Sequence, residues 1–150
     1  MATGVKDLKL WQEAVALGGE TLRVARQHGR RECSWFVEAL VQSATMLATG
    51  IADGYGRGDA LDQQRMFEQA RRSLTTFETQ LAIARHSGAL PQDSLAALAT
   101  RAATVTRLLA GFLTFIERQK AAEVEEGDRR ISPATSSSPL RKALDEIYCA

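Results

Sequence analysis

The sequence predicts an all-α fold: an antiparallel up-down-up-down four-helix bundle, followed by a linker and a short extra helix. Three observations lead to it. Four segments place apolar residues at the 3-4 spacing of one helix face. The connections between them are short and hold glycine, proline or serine, which favours antiparallel neighbours. No Asn-Gly or Asp-Gly pair joins two alternating strands, as a β-hairpin would require.

The first segment, about 6–28, sets Leu10, Ala14, Leu17, Thr21 and Val24 on one stripe and Leu8, Trp11, Val15 and Leu22 on its neighbour. Gly18-Gly19 interrupts it, at roughly 1 kcal/mol per glycine relative to alanine; a close helix approach is the expected reason. His28-Gly29 reads as a last-turn cation and a C′ glycine. After Arg30-Arg31-Glu32-Cys33, Ser34 is the expected N-cap of a second segment, about 35–53. Its stripe is Phe36, Leu40, Ser43, Leu47 and Ile51, and Glu38 is the one charge between Trp35 and Ala52. So apolar a helix is expected to be covered on more than one side, which points to self-association.

Residues 50–58 read Gly-Ile-Ala-Asp-Gly-Tyr-Gly-Arg-Gly. With helical segments on either side, Gly50, Gly54, Gly56 and Gly58 are expected to form the central reversal through positive φ, braced by an Asp53–Arg57 pair. Asp59 then caps a third segment, with Asp62 in its first turn. Phe67, Ala70, Leu74, Phe77, Leu81 and Ala84 form a heptad seam, and Ser87-Gly88 ends it. Leu90-Pro91 opens a fourth segment with the stripe Leu95, Leu98, Ala102, Val105, Leu109, Phe112 and Ile116, ending near 122–126. The expected organisation is a bundle over 1–126, a Ser/Pro-rich linker over 127–139 and a docking helix over 140–150, where Leu140, Leu144, Ile147 and Tyr148 share a face.

Composition narrows the function classes. The 150 residues are 45% hydrophobic and 25% charged, with a net charge of +1. Residues 1–122 hold 15 Lys/Arg against 12 Asp/Glu, and residues 123–150 hold 4 against 6. This is far from a strongly basic nucleic-acid-binding domain. Two cysteines, Cys33 and Cys149, are too few for a secreted disulfide scaffold. No signal-peptide core is apparent at the N-terminus, and no run approaches the ~18 apolar residues of a membrane span. The expectation is a cytoplasmic protein with no membrane partner.

Three stretches resemble one family. Lys6-Asp7-Leu8-Lys9-Leu10-Trp11-Gln12-Glu13-Ala14, Ile51-Ala52-Asp53-Gly54-Tyr55-Gly56-Arg57 and Ser73-Leu74-Thr75-Thr76-Phe77-Glu78-Thr79-Gln80-Leu81 occur in register. Together they are similar to the four-helix-bundle proteins encoded in intervening sequences of bacterial 23S ribosomal RNA genes, over about 5–116. That family is related to the accessory proteins of diversity-generating retroelements. The resemblance implies a homo-oligomer, with a pentameric ring as the implied size, and RNA or DNA and a reverse transcriptase or other protein as partners. Gly50 stands where the family has Asn, Gln42-Ser43 where it has Arg-Ala, and Arg72 where it has Gly.

No residue pattern supports catalysis or a cofactor. A phosphate cradle needs a strand before the glycines and a Gly-Lys-Ser/Thr after them; both are missing at 50–58. No Glu-x-x-His accompanies Glu38 or Glu78 as a di-metal site would need, and either Glu is expected to pair with an arginine of another helix or subunit. No His-x-x-x-His or Cys-x-x-Cys accompanies His28 or His86. Cys33, beside Arg30 and Arg31, lacks the His-plus-acid set of a nucleophile. Arginine is the exception: the first 119 residues use it almost throughout, with Lys6 and Lys9 as the two lysines. Its planar fork suits phosphate. Arg57, Arg65, Arg71 and Arg72 are the candidate nucleic-acid-binding residues, repeated around an oligomer. The leading expectation is a non-enzymatic nucleic-acid-binding accessory protein; the alternative is a protein-interaction or assembly module.

Overall fold

The computed structural model describes residues 4–129; the expected terminal helix and all of the expected linker beyond Arg129 lie outside the described residues. Four α-helices form: α1 Lys9–His28, α2 Ser34–Gly56, α3 Ala60–Ser87 and α4 Gln92–Arg129. Short 3-10 turns at Val5–Asp7 and Arg31–Cys33 precede α1 and α2, and no strand forms among the described residues. The helices pack in sequence, α1 on α2, α2 on α3 and α3 on α4, and α1 also meets α4. The fold is the expected helical bundle.

The α2/α3 and α3/α4 pairs run antiparallel. Along α2, Ser43 meets Gln80, Gly50 faces Ala70 and Gly54 faces Met66 and Phe67. Along α4, Thr106 meets Glu78 and Lys120 meets Gln64. The core follows the predicted stripes closely. Leu10, Ala14, Leu17, Thr21 and Val24 are the buried residues of α1. The whole α3 seam and the α4 stripe are buried, with Leu113 added. Phe67 and Phe112 are fully buried and meet edge to face, with ring centroids 4.6 Å apart.

The helix ends depart from expectation in three places and meet it at Asp59. Ser34 does not cap α2: the Arg31–Cys33 turn runs straight into the helix, and Cys33 holds the cap position with no side-chain hydrogen bond. Asp59 does cap α3, accepting from the Asp62 N–H at 3.3 Å. Gly29 follows α1 with φ −64° rather than in the left-handed region; its lack of a side chain matters because a Cβ there would collide with the Ala25 carbonyl oxygen. Finally, α4 continues through Gly127 to Arg129, three residues into the stretch expected as linker. Residues 121–129 are all exposed, so this end of α4 stands clear of the other helices.

Gly88 ends α3 in the left-handed conformation, φ 71°, and donates its N–H to the Ala84 carbonyl. It is the sole positive-φ residue among those described. A Cβ there would meet nothing within 4 Å, so a substitution probes backbone strain alone. Gly88→Ala is expected to cost about 1 kcal/mol in a urea melt.

By length and composition, Arg31–Gly56 could cross a membrane, contrary to the expectation that no segment comes near that test. In the bundle it packs against α1 and α3, the use a core helix makes of the same composition.

Candidate functional site

The Gly50–Gly58 stretch is the first place where structure overturns expectation. It is not a reversal: α2 runs through Gly50, Asp53, Gly54 and Gly56, and the chain turns at Arg57-Gly58-Asp59. None of these glycines has positive φ. Gly50 and Gly54, one helical turn apart, instead let α2 lie close against α3. A Cβ on Gly50 would sit 3.3 Å from Ala70 Cβ, and one on Gly54 would sit 3.1 Å from Met66 Cβ and 3.2 Å from the Phe67 ring. Gly56 and Gly58 face open space.

Tyr55 and Gln63 are buried although neither is among the residues expected in the core. The signal existed for each. Tyr55 continues Leu47 and Ile51 by one more turn, and Gln63 lies one heptad before Ala70. The Gln63 amide donates to the Arg57 carbonyl at 2.7 Å and ties the turn to α3. Its Oε1 is buried without a partner among the described residues.

The four candidate arginines do not converge. Asp53 holds Arg57 at 3.2 Å, the expected pair, formed one helical turn apart where α2 ends. Asp62 lies 3.9 Å from Arg65, and Glu68 holds Arg71 at 2.8 Å. Arg72 is exposed and has no acidic partner among the described residues. Arg65 and Arg72, seven apart, share the outermost stripe of α3. Arg71 lies on the flank that carries Gln64 and Glu78, both of which reach α4. Three of the four positive charges are thus offset within their own helices.

Two further polar links join helices. Arg101 bridges α4 to α1, 2.6 Å from Glu20 and 3.6 Å from Glu13. Glu78 accepts from the Thr106 hydroxyl at 2.9 Å and pairs with no arginine of the chain's own described helices. Among the described residues no three His, Cys, Asp or Glu side chains gather as a metal site needs. The groove between α3 and α4 near Arg85 also holds Glu78 and Asp93, an acid-rich setting for an anion.

A more apolar unfilled surface lies elsewhere, on α1 and α2. Leu22, Ala25, Val37, Val41 and Met46 line an open groove of about 610 Å³ between these helices. Leu22 is 48% exposed, Met46 46%, Val15 42% and Trp35 72%. Of the second predicted stripe of α1, Val15 and Leu22 are left uncovered, whereas Leu8 is buried and Trp11 packs partly against the core. Gly18 and Gly19 belong to this outer side; a Cβ on either would meet nothing within 4 Å, so no close approach within the chain accounts for them.

These surfaces define a class: a small helical bundle whose surface arginines form no single cluster and whose first two helices present an apolar outer face. A family model described as 23S rRNA-intervening sequence protein matches residues 6–111. The chain belongs to that family. A comparison with curated proteins finds no match.

Proposed function

We propose that the chain is a non-catalytic, cytoplasmic assembly module that associates with copies of itself through the outer face of α1 and α2. The observation that carries this reading is the apolar groove around Leu22, Val41 and Met46. Contiguous apolar surface of this kind usually marks an interface. Two mid-helix glycines facing open space on the same side support it, since each weakens the helix and nothing in the chain uses the room. A ring of five copies is the size that family membership suggests.

The variant Leu22→Arg/Met46→Glu tests this. Both side chains are half exposed, so the fold should survive with unchanged helical circular dichroism. Light scattering should show the mass falling to that of one chain. Retention of the full assembly would contradict the proposal.

A second reading has one observation in its favour. Arg72, Arg107 and Arg118 are exposed on α3 and α4 with no acidic partner among the described residues. Repeated around an oligomer, they would contact RNA or DNA phosphates additively. Binding of structured RNA and duplex DNA would then weaken steeply between about 50 and 200 mM salt, and Arg72→Glu would weaken it further. Absence of binding at the lower salt would remove this reading and leave the assembly role intact.

A further inference from the structure

We infer that the α1/α2 groove receives the segment Leu140–Tyr148 of a neighbouring copy, so that each chain both offers a groove and inserts a tail. This rests on the self-association proposed above and names its means. The groove is open, apolar and flanked by helices, the setting in which an amphipathic helix docks through anchors at i, i+4 and i+7. The segment supplies that pattern with Leu140, Leu144, Ile147 and Tyr148. At about ten residues it is too short to hold a helix alone in water and needs a surface to form on.

Charge fits as well. Arg26 lines the groove, and Arg30 and Arg31 follow where α1 gives way to α2. None of the three has an acidic partner among the described residues. Residues 123–150 carry more acid than base, with Asp145 and Glu146 between Leu144 and Ile147. At the other rim, Glu38 also lines the groove, and Arg141 and Lys142 supply the opposite sign.

Reach decides between the chain's own groove and a neighbour's. Lys120 lies at the level of Gln64, near the end of the bundle where α2 finishes. From there α4 continues outward to Arg129, a rise of roughly 13 Å for nine residues. Met46, at the near end of the groove, lies ten residues back along α2 from Gly56, roughly 15 Å in the opposite direction. The axial separation is thus about 28 Å before the width of the bundle is crossed. The steps from Arg129 to Leu140 span at most about 36–40 Å at full extension, and a relaxed flexible linker of that length averages roughly 17–20 Å. The chain's own groove therefore demands a nearly extended linker, while the groove of a copy set beside the projecting α4 end is within relaxed reach. Tail-to-groove contacts of this kind are heterologous, and they form a ring where the rotation between copies closes.

Complementation between two full-length variants tests the inference. One carries Leu144→Asp/Ile147→Asp in the tail; the other carries Leu22→Asp/Met46→Asp in the groove. Each alone should be a single chain by light scattering, with the circular dichroism and cooperative melt of the four-helix bundle retained and only the signal of the short tail helix lost. Mixed in equal amounts they should form a two-chain complex and nothing larger, because one intact tail and one intact groove remain. If the tail variant assembles like wild type while the groove variant does not, the tail is not the occupant, yet the assembly proposal stands. A mixture that stays single-chain also overturns the inference. If the groove variant assembles like wild type, both proposals fail.

Discussion

Gly54→Leu is expected to destabilise the fold by about 3 kcal/mol, the upper part of the usual range for overpacking a core. A single Cβ at this position already comes within 3.1 Å of Met66 Cβ and 3.2 Å of the Phe67 ring. Neither neighbour can yield easily. Met66 is approached at the first atom of its side chain, and Phe67 is fully buried against Phe112. The remaining atoms of a leucine have to displace α3 or leave their rotamer. For a domain of this size the melting temperature should fall by roughly 6–12 °C. Gly56→Ala is the control. It lies in the same helix with nothing within 4 Å, so replacing it should be neutral or mildly stabilising. Phe67→Ala should relieve part of the Gly54→Leu penalty, so the double variant should lose less than the sum of the two single losses. Equal effects at Gly54 and Gly56 would mean that the close α2/α3 approach is not what the glycine serves.

Phe112→Ala should cost about 4 kcal/mol, within the range for emptying a buried phenylalanine site. The ring is fully buried on α4 and lies 4.6 Å from that of Phe67 on α3. Its removal therefore opens a cavity and ends an edge-to-face pair, itself worth about 0.5–1.5 kcal/mol. Phe112→Leu should cost clearly less, since most of the volume remains. A loss below about 1 kcal/mol for the alanine variant would place the core elsewhere than at this α3/α4 contact. Gly54, Phe67 and Phe112 form one level of the bundle that couples three helices, so both substitutions should shift the same cooperative transition.

Much of this level was readable from the sequence. Phe67 and Phe112 fall on clean 3-4 stripes, and burial followed the stripes. The cap at Asp59 and the left-handed glycine at 88 were also legible, because each sits where a helix end needs that particular residue. The glycines at 50–58 misled for a physical reason. Glycine is used both where a backbone must turn and where another helix must come close. Composition does not separate the two uses. Periodicity could have: Gly50 and Gly54 are four apart, and Ile51 and Tyr55 continue the buried stripe beside them. A turn would have broken that stripe.

The candidate arginines illustrate a different limit. Arg57, Arg65 and Arg71 each follow an acid by three or four residues, so their intrahelical pairing was open to inspection. The seven-residue spacing of Arg65 and Arg72 opposite the seam puts them on one outer stripe, but only the structure shows that the flank carrying Arg71 faces α4. The α1/α2 groove was half legible. The low charge of α2 pointed to a covered surface, but which apolar residues the chain's own helices would leave open depends on how α1 lies across α2. Leu8 is buried while Val15 and Leu22, read on the same stripe, are exposed.

The central claim is that this outer α1/α2 face is an interface between copies. Its most direct test is the mass of the unmodified full-length chain in solution, by light scattering across a range of concentrations. The account predicts a discrete multiple of the 16.4 kDa chain mass. A chain that stays at 16.4 kDa up to the highest attainable concentration would contradict it.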